Sequence, residues 1–290
     1  MALLTPTLPR NLVIRTAAQD VLQIYRDKPW EMFTGKPLEV FDPLVAKYPK
    51  DAEVYEWRGY FRSEVRFNSE PNLQGARDDF TQALRLAPSK PDNYVGRAIV
   101  NFDLGQLALA EADYTEALKF GAKAFDLPER LSNQAFFVLL SRAETRWLLG
   151  KAKGAAQDYA LALKDKTVWE KLWPSDDLWR LFWKRGVCYF ASGDLKSALN
   201  DLDRAIAMIQ TEEMASWLAA MPYLYEELYL ERGYLRVALG DEVGALADFR
   251  QTVELINKPV IVRGEIQQIP RAIDFGSGRG ITWLYSSDLT

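Results

Sequence analysis

Ten charged residues recur at spacings that can support specific chemistry. Arg97 and Asp113, Arg142 and Asp158, Arg185 and Asp201, and Arg232 and Asp248 each stand 16 residues apart, and Arg58 and Asp79 stand 21 apart. A guanidinium and a carboxylate on antiparallel helices form two parallel, charge-assisted hydrogen bonds, which fix how one helix slides along the other. These ten residues are read as structural ion pairs. Proton transfer is poorly served elsewhere. The chain has no histidine, so Ser-His and Cys-His nucleophile pairs cannot form. The single cysteine, Cys188, permits neither an internal disulfide nor a cysteine-rich metal site, and within the apolar stretch Val187 to Phe190 it reads as a small core residue. Glu226-Glu227 and Asp176-Asp177 read as solvated helix surface or first-turn charges. No catalytic residue, metal ligand or cofactor site is assigned, and the chain is not expected to be an enzyme.

The elements that would hold these pairs follow from an internal repeat. Asp79-Phe80-Thr81-Gln82-Ala83-Leu84 returns 34 residues later as Asp113-Tyr114-Thr115-Glu116-Ala117-Leu118, and again in the phrases that start at Asp158, Asp201 and Asp248. Upstream of each copy lies an arginine followed by a small residue: Arg58-Gly59, Arg97-Ala98, Arg142-Ala143, Arg185-Gly186 and Arg232-Gly233. In the last four copies a glycine follows seven residues later, at Gly105, Gly150, Gly193 and Gly240. Each copy therefore reads as helix, glycine turn, helix. Phe182 to Ser192 has helical apolar spacing, Gly193-Asp194 stops it, and Leu195 to Ile209 resumes it. Small residues such as Gly186, Ala198 and Ala205 let the helices approach, and Phe182, Tyr189 and Leu202 fill the gaps. One such hairpin cannot cover its own apolar faces, so successive hairpins must stack.

Composition agrees. The 290 residues are 48% hydrophobic, enough to bury a large core. Thirty-six Lys+Arg against 40 Asp+Glu leave a formal net charge of -4, which argues against nucleic acid as a partner. No apolar run reaches the roughly 20 residues of a membrane span, and Met1 to Gln19 lacks the order of a signal peptide. Cysteine usage fits a reducing compartment, and a cytoplasmic location is the expectation, with an organelle presequence as the other reading of Arg10 and Arg15.

With five such copies on the page, the chain resembles the tetratricopeptide repeat (TPR) family. The 34-residue interval and the order aromatic, Gly/Ala, Ala, aromatic, Ala carry the likeness across residues 52–259. The resemblance implies an all-α, right-handed superhelical solenoid of about five helix-turn-helix repeats, near 52–90, 91–124, 136–169, 179–212 and 226–259. Residues 1–51 are expected to form an N-terminal helical cap or degenerate repeat, with Thr16 to Arg26 and Pro37 to Lys47 as a helix pair. Residues 260–290 are expected to form an irregular tail. The first repeat departs by an insertion around Arg66 to Gly75. Further residues enter near Phe125 to Ala135, Glu170 to Leu178 and Glu213 to Tyr225, read as helix extensions or caps. Asp274 to Gly280 is similar to the glycine-rich loop of nucleoside-cofactor enzymes, but only ten residues follow it, too few for the helix and sheet that such a loop needs.

In TPR proteins the first helices line a concave groove. By position the lining here comprises Glu56, Tyr60, Ile99, Phe102, Leu140, Glu144, Trp147, Arg180, Trp183, Phe190, Leu230 and Tyr234. The groove of TPR cochaperones that grip C-terminal carboxylates carries Lys, Asn and Arg. The matching positions here are Glu53, Glu56, Val95 and Tyr60, so a chaperone carboxylate clamp is not expected. The resemblance implies a non-catalytic scaffold or adaptor that binds a protein segment with apolar anchors, with basic residues answering Glu53, Glu56 and Asp92, during assembly of a larger complex. The alternative is a self-regulated or oligomerising protein whose C-terminal tail fills its own or another subunit's groove.

Overall fold

A computed structural model of the chain describes residues 37–63, 72–120, 131–164, 178–211, 225–256, 260–262 and 265–267. It divides into two compact units, Met1–Leu131 and Ser132–Thr290. The first holds α1 (Pro37–Lys47), α2 (Ala52–Ser63), α3 (Leu73–Leu86), α4 (Pro91–Asp103) and α5 (Leu107–Lys119). The second is built from α6 (Leu131–Leu148), α7 (Ala152–Lys164), α8 (Leu178–Ala191), α9 (Leu195–Ile209), α10 (Glu226–Ala238) and α11 (Glu242–Ile256). The expected helix Pro37–Lys47 and the expected pair around Gly193 lie where the sequence put them. The inserted stretches largely fall outside the described residues, as do Thr16 to Arg26 and the glycine-rich loop. The described ends of the insertions include Asn72 to Gly75, where α3 is capped and starts, and the start of α6, which runs 18 residues from Leu131 and is the longest helix among those described.

The tail brings a difference. Short strands β1 (Val260–Val262) and β2 (Glu265–Gln267) pair antiparallel, Ile261 opposite Ile266, where an irregular tail was expected. Val260, Ile261, Val262 and Ile266 are β-branched, the residue type that strands favour.

Four hairpin turns share one backbone design. Gly105, Gly150, Gly193 and Gly240 all adopt a left-handed φ of 71 to 84°, which a side chain would strain. The amide after each glycine reaches back to the helix it leaves: Gln106 to the Asn101 carbonyl, Lys151 to Arg146, Asp194 to Tyr189 and Asp241 to Arg236, at 2.7 to 2.9 Å. This satisfies carbonyls that the helix end would otherwise leave unpaired. The next helix starts at once, with Asp194 and Asp241 each accepting a backbone amide three residues on.

Between the helices, small residues set the distance. Ala76, Ala110, Ala155, Ala198 and Ala245 are buried, one per second helix. Phe80, fully buried, lies against Gly59 of its own hairpin and Gly96 of the next. A Cβ on Gly96 would meet the Phe80 ring at 2.4 Å, and one on Gly233 would meet the Phe249 ring at 2.5 Å. In the second unit one continuous core runs from Phe136 and Tyr159 through Trp179, Trp183 and Leu202 to Leu235 and Leu255.

Gly96→Ala should therefore lose about 1–3 kcal/mol of stability by overpacking, measured by urea unfolding of the full chain. Gly154→Ala, whose new methyl would meet only the flexible Arg146 side chain at 3.3 Å, should change stability by no more than about 0.5 kcal/mol. Equal losses would contradict this account of the packing.

Candidate functional site

The aspartates that open the second-helix phrases are buried in every copy: Asp79, Asp113, Asp158, Asp201 and Asp248. Each receives the same side of an arginine. Nε donates to Oδ2 and Nη2 to Oδ1 for Arg58 with Asp79 (3.0 and 2.6 Å) and Arg97 with Asp113 (2.9 and 2.7 Å). The same bonds are 2.9 and 2.7 Å for Arg142 with Asp158, and 2.7 and 2.8 Å for Arg185 with Asp201. They are 2.9 and 2.6 Å for Arg232 with Asp248. The bond from Asp113 raises the pKa of Arg97 above its ordinary value, against the burial that lowers it.

A further donor was not foreseen. Arg62, Arg146 and Arg236 give Nη1 to the same Asp Oδ2 at 2.8, 2.8 and 3.0 Å, and Asn101 takes that role in the second hairpin at 3.0 Å. The signal was present as arginines four apart, 58 and 62, 142 and 146, 232 and 236, which places both on one helix face. Nη1 of the first arginine looks the other way, to the preceding second helix or cap. Arg58 donates to Asp42 at 2.8 Å, Arg97 to Thr81 at 3.4 Å and Arg232 to Asp203 at 2.7 Å. One guanidinium thus ties two helices of a hairpin to the hairpin before it.

The first-helix faces rest on this frame. In the first unit Glu56 and Tyr60 on α2 meet the start of α4. Glu56 Oε2 lies 2.7 Å from Lys90 Nζ, and the Tyr60 hydroxyl donates to the Asp92 carbonyl at 3.4 Å. Burial raises the Glu56 pKa, and Lys90 opposes it. Burial also raises the pKa of Tyr60, whose ring stands edge-on to Phe80 at 4.9 Å. The expectation that a partner's basic group would answer Glu56 is corrected here, because Lys90 of the same chain already does so. Ile99 is 43% exposed and Phe102 half-buried, one turn apart on α4.

In the second unit Leu140, Trp147 and Phe190 are half-buried with part of each side chain packed on the core. Glu144 is engaged within the chain: its Oε2 accepts from Lys184 Nζ at 2.8 Å and from the Tyr159 hydroxyl at 3.1 Å. Nearby Cys188 is buried, and its thiol is pushed up to about 12 by burial and by Glu144. A thiol so disposed stays protonated and inert. Trp183 is corrected outright. At 2% exposure it belongs to the core, stacked on Trp179 at 5.9 Å, and cannot touch a ligand on that face. Trp179 is covered in turn by Tyr225 and by the guanidinium of half-buried Arg180. On α10, Glu227, Leu230, Glu231 and Tyr234 share one face. Tyr234 is 40% exposed and lies edge-on to Phe249.

Among the described residues no cluster of three or more His, Cys, Asp or Glu could hold a metal ion, and no helix is long and apolar enough to cross a membrane.

No family model and no curated protein matches this sequence. Solved structures do. YrrB, described as a TPR protein with an unusual peptide-binding site, aligns with a TM-score of 0.55 at 16% identity, over 74% of this chain and 91% of that one. A MamA structure aligns with a TM-score of 0.52 at 12% identity, over 70% and 91%. These likenesses show the fold: the chain is an all-α protein with the tetratricopeptide-repeat fold.

The α10 face yields a pH prediction. The Glu231 pKa is moved from the ordinary 4.5 up to about 7, by burial first and by Glu227 second. The folded state holds this proton more tightly than the unfolded chain, so its stabilising effect is complete below pH 4.5 and is lost as pH rises to about 7. Glu231→Gln should flatten that decline and be more stable than wild type at pH 8 by on the order of 1–3 kcal/mol, as read by urea unfolding at pH 5 and 8.

Proposed function

We propose that this protein is a non-catalytic scaffold that binds a segment of another protein along its first-helix faces, through apolar anchors. The observation that carries this reading is the set of partly open apolar side chains on those helices within each unit. Ile99 and Phe102 on α4, Leu140 and Trp147 on α6, Phe190 on α8, and Leu230 and Tyr234 on α10 all keep some exposure. Isolated surface apolar groups are ordinary, but their return at matching positions of successive hairpins is what a binding face requires.

The ion pairs contribute preorganisation. Helices pinned at both ends of a guanidinium lose little further freedom when a ligand docks, so less binding free energy is spent on ordering. The description of YrrB as peptide-binding supports the same use of the fold. The role extends to assembly of a larger complex, in which the bound segment is held for a further subunit. With Glu56 and Glu144 engaged internally, affinity rests on aromatic and aliphatic contacts more than on charge.

A photo-crosslinking amino acid placed at Ile99 or Tyr234 in the native cell should capture a discrete protein adduct. The same probe at Leu109, which is exposed on a second helix, should not. Ile99→Ser and Tyr234→Ala should each weaken the captured partner's affinity about tenfold without lowering the unfolding temperature appreciably. Adducts formed from Leu109 alone would contradict the assignment of the face.

A further inference from the structure

Three of the Arg–Asp joints share a third bond that a fourth, at Arg185, lacks. Arg58, Arg97 and Arg232 each use Nε and Nη2 on their own aspartate and send Nη1 to the hairpin or cap before. Two of the three acceptors are carboxylates, Asp42 at 2.8 Å and Asp203 at 2.7 Å. Thr81 and Asp203 stand two residues after the buried aspartates Asp79 and Asp201. The residue two after Asp158 is Ala160, followed by Leu161, and neither side chain can accept a hydrogen bond. Arg185 accordingly bonds Asp201 through Nε and Nη2, while its Nη1 donates to no acceptor among the described residues.

An open pocket of about 590 Å³ lies at this spot, lined by Gln157, Ala160, Leu161, Leu163 and Lys164 of α7 and by Arg185 of α8. Gln157, Ala160, Leu161 and Lys164 recur at helical spacing, so they share the face of α7 that borders Arg185. The chemistry of the lining is specific. It offers a spare guanidinium N–H, the ammonium of Lys164 and the amide of Gln157 beside aliphatic surface, with Leu161 53% exposed. Among the described residues that line it there is no carboxylate.

We infer that this pocket takes the carboxylate side chain of an Asp or Glu, flanked by aliphatic residues, on a partner polypeptide. The ligand's carboxylate stands where Asp42 and Asp203 stand at the other junctions and accepts from Arg185 Nη1. Lys164 adds attraction, and the neighbouring aliphatic side chain covers Leu161 and Leu163. The site lies on the second-helix side of the hairpin stack and is separate from the first-helix faces. It does not require those faces to bind anything.

Fluorescence anisotropy of the full-length chain tests this with a labelled heptapeptide, blocked at both ends and centred on leucine-glutamate-leucine. Two companions are its glutamine counterpart and a peptide ending in leucine with a free carboxylate. The glutamate peptide should bind at least about tenfold more tightly than the glutamine peptide. Ala160→Asp, which supplies the missing acceptor from within, should reduce glutamate-peptide binding to the glutamine level while raising the unfolding temperature. Lys164→Glu should also weaken it, and Tyr234→Ala should leave it unchanged, separating this site from the first-helix face. Equal binding of the glutamate and glutamine peptides, binding of neither, preference for the free terminal carboxylate, or retention of binding by Ala160→Asp would each overturn the proposal.

Discussion

A carboxylate shut away from water must be answered by a partner. Five times in this chain an aspartate is placed on the inner side of a second helix, almost wholly enclosed. Leaving such a charge alone costs several kcal/mol, so the fold can form only with a guanidinium at a fixed distance and orientation. That requirement sets the spacing between helices, their register, and the presence of an arginine on each first helix. The side-on geometry, Nε and Nη2 toward the aspartate, leaves Nη1 directed toward the preceding hairpin, so the same charge that closes one unit joins it to its neighbour.

Close approach makes this possible. Gly96 and Gly233 let Phe80 and Phe249 pack where a methyl group would collide, and Gly59 and Gly186 let Phe80 and Leu202 come so near that a methyl group would be tight, at 3.1 Å. Tyr55, Tyr94, Phe182 and Tyr229 lie with their rings 5.5 to 6.0 Å from the guanidinium carbons of Arg58, Arg97, Arg185 and Arg232, which lowers the local exposure to water and raises the cost of separating the pairs. Packing and charge are thus mutually dependent: removing a glycine pushes the helices apart, and removing an aspartate leaves a buried cation with nothing to face. The first-helix surfaces are positioned as a by-product, at the spacing that the joints impose.

Much of this was legible in the residues. The hairpins announced themselves because glycine turns, aromatic positions and small positions recur together, and the Arg and Asp phrases kept a constant separation in four copies. The second donor at Arg62, Arg146 and Arg236 was hidden because the matching position holds Asn101 in one hairpin and Tyr189, which does not bond the aspartate, in another, and this breaks the pattern. Assignment of the binding face by position failed for Trp183. Position fixes the direction of a side chain but not how much material lies beyond it, and Trp179 and Tyr225 fill that space. Glu56 and Glu144 looked available because Lys90 and Lys184, which engage them, sit in the next described first helix or at its start. Contacts between hairpins leave no short-range trace in the chain.

The dependence on the buried pair is most directly measured by a double-mutant cycle at Arg185 and Asp201, where the aspartate receives no second side-chain donor among the described residues. The account predicts that Asp201→Leu alone costs about 3–5 kcal/mol, and that pairing it with Arg185→Met restores a large part of the loss, giving a coupling energy well above about 1 kcal/mol. Additive losses, with no coupling between the two sites, would contradict it.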